Sequence, residues 1–239
     1  MIFELLVSSL IAVQRSSVAI LAIALLLIAG NAVAHNVSLE DARLIAGKSG
    51  PQVLLYMWLG AKHMVTGYDH LLFLIGVIFY LKQLRSVAIF VSLFALGHSI
   101  TLIGGVLLGL DVNPYLVDAI IGLSVAYKGF DNLNGFETLF GDSPNERMAV
   151  FVFGLFHGLG LATKLQDLGL AEDGLLVNLL SFNIGVELGQ LAALVVFVLL
   201  LRYVPPRTAG SKTGTIVNVG LVVAGFVLDF GADFGYGYG

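Results

Sequence analysis

Four of the five histidines in this 239-residue chain, His63, His70, His98 and His157, lie inside apolar stretches. Asp69, Asp118, Asn183, Glu187 and Gln190 accompany them. An ionisable side chain within a bilayer span costs about 2.5–3.5 kcal/mol on insertion scales, so each needs a partner or a function. Imidazole and carboxylate suit divalent transition-metal ions. Spread over five apolar segments, these groups can meet only at the centre of a helix bundle. The chain has no cysteine, which excludes disulfides, thiolate zinc sites and iron–sulfur clusters. Any metal is therefore expected on His, Asp, Glu, Asn or backbone oxygen.

The densest stretch is His63-Met64-Val65-Thr66-Gly67-Tyr68-Asp69-His70. On an unbroken helix, residues seven apart share a face but stand about 10.5 Å apart along the axis. Two imidazoles at that separation cannot ligate one ion at about 2.0–2.1 Å. Either Gly67 breaks the helix and folds the ligands together, or His63 and His70 serve successive sites. Asp69 could orient a neighbouring imidazole or bind the ion itself. In Gly97-His98-Ser99-Ile100-Thr101, His98 and Thr101 share a face near the centre of a span. In Gly154-Leu155-Phe156-His157-Gly158, the two glycines form a small-xxx-small face and enclose the histidine. Asn183, Glu187 and Gln190 fall at i, i+4 and i+7, a polar stripe expected to wall a wet cavity. The plainer reading of each lone group is interhelical glue: an imidazole on a facing hydroxyl, or a protonated structural acid.

The elements that must position these residues are legible from composition. Hydrophobic residues make up 58% of the chain and charged residues only 12%, against about 25% charged in a soluble domain. With a mean hydropathy of +0.95, lipid must solvate much of the surface. A net charge of −4 excludes a nucleic-acid-binding stripe. The fold class expected is all-α: a polytopic membrane helix bundle of about six transmembrane helices after an N-terminal signal segment. Residues 1–34 read as a secretory signal peptide, with Arg15, an apolar run and Ala32-Val33-Ala34 as cleavage site; an uncleaved anchor helix is the competing reading. Residues 35–239 form a single transmembrane domain whose hydrophobic segments run about Gln52–Leu81, Ser86–Leu110, Tyr115–Leu133, Met148–Leu165, Leu175–Tyr203 and Thr215–Phe230. Basic residues at Lys82, Arg85, Arg147, Arg202, Arg207 and Lys212 mark alternate loops as cytoplasmic, against the dissent of Arg43 and Lys48. Both mature termini are then expected in the periplasm, on a multi-pass protein of the bacterial inner membrane. Lys128 is expected to snorkel to the cytoplasmic interface. Three spans plus three would permit an inverted repeat, weakly suggested by the likeness of Gly97-His98 to Phe156-His157-Gly158.

Four ordered motifs resemble the HupE/UreJ family of hydrogenase- and urease-associated membrane proteins. They are His63-x3-Gly67-x-Asp69-His70-Leu71-Leu72-Phe73, Gly97-His98-Ser99-Ile100-Thr101-Leu102, Phe156-His157-Gly158-Leu159-Gly160 and Phe182-Asn183-Ile184-Gly185-Val186-Glu187-Leu188-Gly189-Gln190. The resemblance implies an N-terminal signal, about six spans and permeation of nickel or a related divalent cation, with metal handling at His63, Asp69, His70 and His157. Met64 stands where nickel-permease members usually have proline, and Leu161 where they have a second histidine. The chain thus looks closer to the broader branch of the family.

Together these features lead us to expect a non-enzymatic secondary permease. The cation, Ni²⁺ foremost, with Co²⁺, Cu²⁺ or Zn²⁺ as alternatives, would pass along His63, Asp69, His70, His98, His157 and Glu187. Ser99, Thr101, Asn183 and Gln190 would support the path. There is no Walker A motif for direct ATP use. Two alternatives stand beside it. One is an intramembrane zinc hydrolase, since three protein ligands plus water suffice for a zinc-water centre. The other is a non-transporting subunit or metal-delivery partner, docking membrane or periplasmic proteins through faces such as Val195–Leu201. The amino group and imidazole of His35, once freed by cleavage, would chelate a periplasmic ion.

Overall fold

The computed structural model describes residues 39–81, 83–168, 170–201 and 210–234. The signal segment and His35 lie outside the described residues, as do Lys82, Arg202 and Arg207. The described chain is helical throughout, with no strand. Its helices are α1 (Leu39–Ile45), α2 (Val53–Thr66), α3 (Tyr68–Ile78), α4 (Leu84–Leu108), α5 (Pro114–Asn132), α6 (Gly135–Phe140), α7 (Glu146–Gln166), α8 (Leu175–Leu201) and α9 (Lys212–Phe234).

Local chemistry sets the boundaries. Asn113 caps α5 by accepting from the backbone N–H of Tyr115 and Leu116, and Pro114 follows at the first helical position. Asn145 caps α7 in the same way, through Arg147 and Met148. Gly109, left-handed at φ 60°, closes α4 and donates back to Gly105 and Val106. The first hydrophobic segment is broken at Gly67, which is extended (φ −74°, ψ 103°) and ends α2 while starting α3. A side chain there would have to push its neighbours aside. A Cβ on Gly67 would lie 2.9 Å from His70 Nδ1 and 3.1 Å from both Asp69 Oδ1 and the His63 carbonyl oxygen. The break and the inward folding of these three residues are one feature.

Three helices, α4, α7 and α8, are each long and apolar enough to cross a membrane, and α3 and α9 are shorter apolar helices. At 11 residues, α3 spans about 16 Å, roughly half a bilayer core, and every residue from Asp69 to Ile78 is buried. It is a half-helix enclosed by its neighbours. Glycines bring three helix pairs to backbone contact: α2 with α8, α4 with α7, and α5 with α9. A Cβ at Gly60 or Gly185 would strike the carbonyl of Phe182 or Met57. Gly97, Gly154 and Gly158 meet the carbonyls of Phe151, Phe94 and His98, and Gly129 meets that of Asn218. Such approaches give close van der Waals packing where water supplies no hydrophobic drive.

The order of these contacts fixes helix direction. Met57 meets Gly185 and Ala61 meets Gly189, so α2 and α8 run parallel. Phe94 meets Gly154 and His98 meets Gly158, so α4 and α7 are parallel too. Gly129 meets Asn218 while Ala126 meets Gly225, so α5 and α9 are antiparallel. Six successive crossings, with α2 and α3 sharing the first, alternate in just this pattern. Exchanging the first three crossings for the last three maps the pairing onto itself, as an inverted repeat would. The likeness of the His98 and His157 motifs has a different cause: their helices pack against each other, and both need glycine at the same seam.

The charges of α5 are internalised rather than surface-seeking. Asp118 pairs with Lys164 of α7 at 3.1 Å. Lys128 is 5% exposed and bridges Asp131 at 2.6 Å and Glu146 at 2.8 Å, which corrects the expectation of a snorkelling lysine. Asn132 donates to the Gly76 carbonyl and to Asn218 Oδ1, tying α5 to α3 and α9.

Candidate metal centre

The break at Gly67 turns the start of α3 back beneath the end of α2, and the rings of His63 and His70 come to 5.1 Å between centroids. Of the two arrangements open from sequence, the structure has the folded one. His157 of α7 stands 4.9 Å from the His70 ring and His98 of α4 stands 6.0 Å from it. Asp69, His70, His98 and His157 are at most 1% exposed, and His63 is half-buried. Four helices thus contribute an imidazole or carboxylate to one point, with His70 at its centre.

Asp69 lies in the first turn of α3, where the helix dipole favours a carboxylate. Its Oδ2 is 3.2 Å from His70 Nδ1 and 3.8 Å from His157 Nε2. His157 Nδ1 stands 2.7 Å from the Phe153 carbonyl oxygen. A carbonyl only accepts, so Nδ1 carries the proton. In the neutral ring, the Nε2 lone pair therefore faces the cluster and the carboxylate. A lone pair opposite a carboxylate oxygen makes a setting for positive charge, whether proton or metal ion.

Spacing and orientation can be weighed separately. Two imidazoles sharing an ion at about 2.0–2.1 Å in tetrahedral geometry would place their centroids about 5 Å apart. The observed 4.9, 5.1 and 6.0 Å fall close to that. The rings, however, meet edge to face, and among the described residues no three His, Asp or Glu groups stand in ligating geometry. Phe94 packs at 4.9 Å from the His157 ring and Phe73 at 5.7 Å. A cavity of about 10 Å³ beside His70, bounded by Met64, Phe73, Phe94 and Gln190, holds one water at most. The buried rings are packed in an aromatic chamber closed to solvent.

The remaining expected residues divide. Thr101 donates to the Leu155 carbonyl at 2.6 Å and pins α4 to α7. Ser99 donates to Asn183 Oδ1 at 3.2 Å and pins α4 to α8. Glu187 does not join the histidines: it is exposed, in an open groove of about 450 Å³ with Ser99 and Gln190. Gln190, 2% exposed, lines both this groove and the cavity beside His70. Two residues were missed. Lys62 binds Asp41 of α1 at 2.7 Å, and with His63 they line a cavity of about 40 Å³. Lys62 itself is adjacent to His63; its partner, 21 positions away on a short helix, left no sequence signal.

A family model described as HupE / UreJ protein matches residues 39–231. The chain belongs to the HupE/UreJ family. Neither a curated protein nor a solved structure matches it. Membership covers every helix just described up to residue 231 of α9, including all four motifs, and links this HupE/UreJ member to a membrane role in metal transport or its accessory functions.

Proposed function

We propose that this HupE/UreJ member is a secondary permease for a divalent transition-metal ion, Ni²⁺ foremost, with His63, Asp69, His70, His98 and His157 as the intramembrane binding station. The observation that carries the reading is the gathering of three imidazoles and a carboxylate from α2, α3, α4 and α7 around the His70 ring. An ion leaving water loses its hydration shell, and the cost is met only where donor atoms replace it. Imidazole nitrogen supplies borderline-soft ligands that suit Ni²⁺, Co²⁺, Cu²⁺ and Zn²⁺, and Asp69 supplies negative charge.

The closed chamber corresponds to an occluded route. The ion would reach His63 through the cavity bounded by Asp41 and Lys62, and the rings would rotate from edge-to-face packing into ligation as Phe73 and Phe94 shift. The half-helix α3 is the element best suited to move. It begins at a glycine joint, and its first turn carries both Asp69 and His70. Energy would come from the ion gradient, the membrane potential or a partner protein. We place the chain in the bacterial inner membrane with periplasmic mature termini, on the loop charges. The test is Ni²⁺ uptake by proteoliposomes: His70→Ala is expected to reduce the initial rate at least about tenfold. Equal uptake by wild type and variant would overturn the proposal.

A further inference from the structure

Glu187 is an exposed carboxylate near the midpoint of α8, among the half-exposed side chains of Ile184, Leu188 and Leu191. Facing lipid there, a charged acid would cost about 2.5–3.5 kcal/mol, a cost that water or a cation in its groove would offset. The groove is the roomiest cavity among those described, about 450 Å³ between α4 and α8. A second polar group points the same way. Gln190 is 2% exposed, and its Oε1 has no hydrogen-bond partner among the described residues. A buried amide oxygen left in that state costs about 1–3 kcal/mol unless a ligand or water completes it. Ser99, Glu187 and Gln190, a hydroxyl, a carboxylate and an amide side chain, thus line one groove. No imidazole lines it.

We propose that this groove is a second cation station, built of oxygen donors, which holds an ion with part of its water shell retained. Gln190 borders both the groove and the cavity beside His70, and so joins this station to the imidazole chamber. Oxygen donors and room for water suit hard cations and incompletely dehydrated ions, whereas the chamber suits an ion stripped of water. The inference rests on reading the chain as a cation permease, and places a handover step within that reading.

The test uses purified full-length chain and two probe ions. Binding of Mn²⁺ is followed by loss of the free-ion paramagnetic resonance signal. Glu187→Gln is expected to weaken it at least about tenfold, a change of about 1.4 kcal/mol. Glu187→Asp is expected to keep most of the binding, and Gly104→Ala, outside both sites, all of it. Binding of Cu²⁺, read from its nitrogen hyperfine pattern, should survive Glu187→Gln. Mn²⁺ binding that is absent, or is unchanged in Glu187→Gln, overturns the groove station while leaving the chamber standing. Glu187-dependent Mn²⁺ binding without nitrogen-ligated Cu²⁺ supports the groove and removes the chamber.

Discussion

Gly158→Ala tests whether helix packing holds the histidine cluster together. A Cβ at this position runs into the His98 carbonyl, with Thr101 Oγ1 at 2.5 Å and the His98 carbonyl carbon at 2.8 Å. Carbon contacts are comfortable at about 3.5–4.0 Å, so α4 and α7 must part by roughly 1 Å. Overpacking of this size costs about 1–3 kcal/mol. Parting the helices also stretches the bond from Thr101 to the Leu155 carbonyl, now 2.6 Å, worth about 0.6 kcal/mol and up to about 1.7. The sum is a destabilisation of about 2–4 kcal/mol. Because His98 and His157 sit on the two helices being separated, affinity for Ni²⁺ should fall as well. Gly104→Ala is the matched control: on α4, the other helix of this pair, a Cβ there meets nothing within 4 Å. It should be neutral or stabilising by up to about 1 kcal/mol, through helix propensity. Denaturant unfolding in detergent, followed by helical circular dichroism, compares the two. Equal stability of Gly158→Ala and Gly104→Ala would refute the reasoning.

Lys128→Met leaves the Asp131 and Glu146 carboxylates facing each other without their shared cation, and should cost about 3–5 kcal/mol in the same assay. The double change Lys128→Met with Asp131→Asn should recover part of that loss; no recovery would mean the pairing is not what stabilises the site. Metal binding should weaken as pH is lowered from about 8 to about 5, the range in which histidines charge, because imidazole ligates only when neutral and each bound proton competes with the ion. Titration with Ni²⁺ across that range checks the sign, and affinity rising toward acid would contradict imidazole ligation.

The helices and the histidines were legible because both follow from composition: apolar runs bounded by Asn, Pro and Gly, with ionisable groups too costly to be idle. The fold at Gly67 was one of two readings of a seven-residue spacing, and only packing decided it. Helical periodicity put Asn183, Glu187 and Gln190 on one stripe of α8. It could not say which sector the neighbours close: Asn183 and Gln190 are buried, and the groove between α4 and α8 leaves Glu187 open. Thr101 shares a face with His98, yet its hydroxyl is taken by a carbonyl of α7. Lys128 read as a snorkelling cation because Glu146 lies 18 residues on, across the α5–α7 connection. Tertiary pairing of this kind is absent from local pattern.

The most direct test of the account is nickel-edge X-ray absorption on the purified chain loaded with Ni²⁺. We expect the multiple-scattering pattern of several imidazoles around one ion, with fewer imidazoles in His157→Ala and none retained at stoichiometric occupancy in His70→Ala. A wild-type spectrum showing only oxygen ligands, or no bound nickel, would contradict the claim that these rings form one binding station.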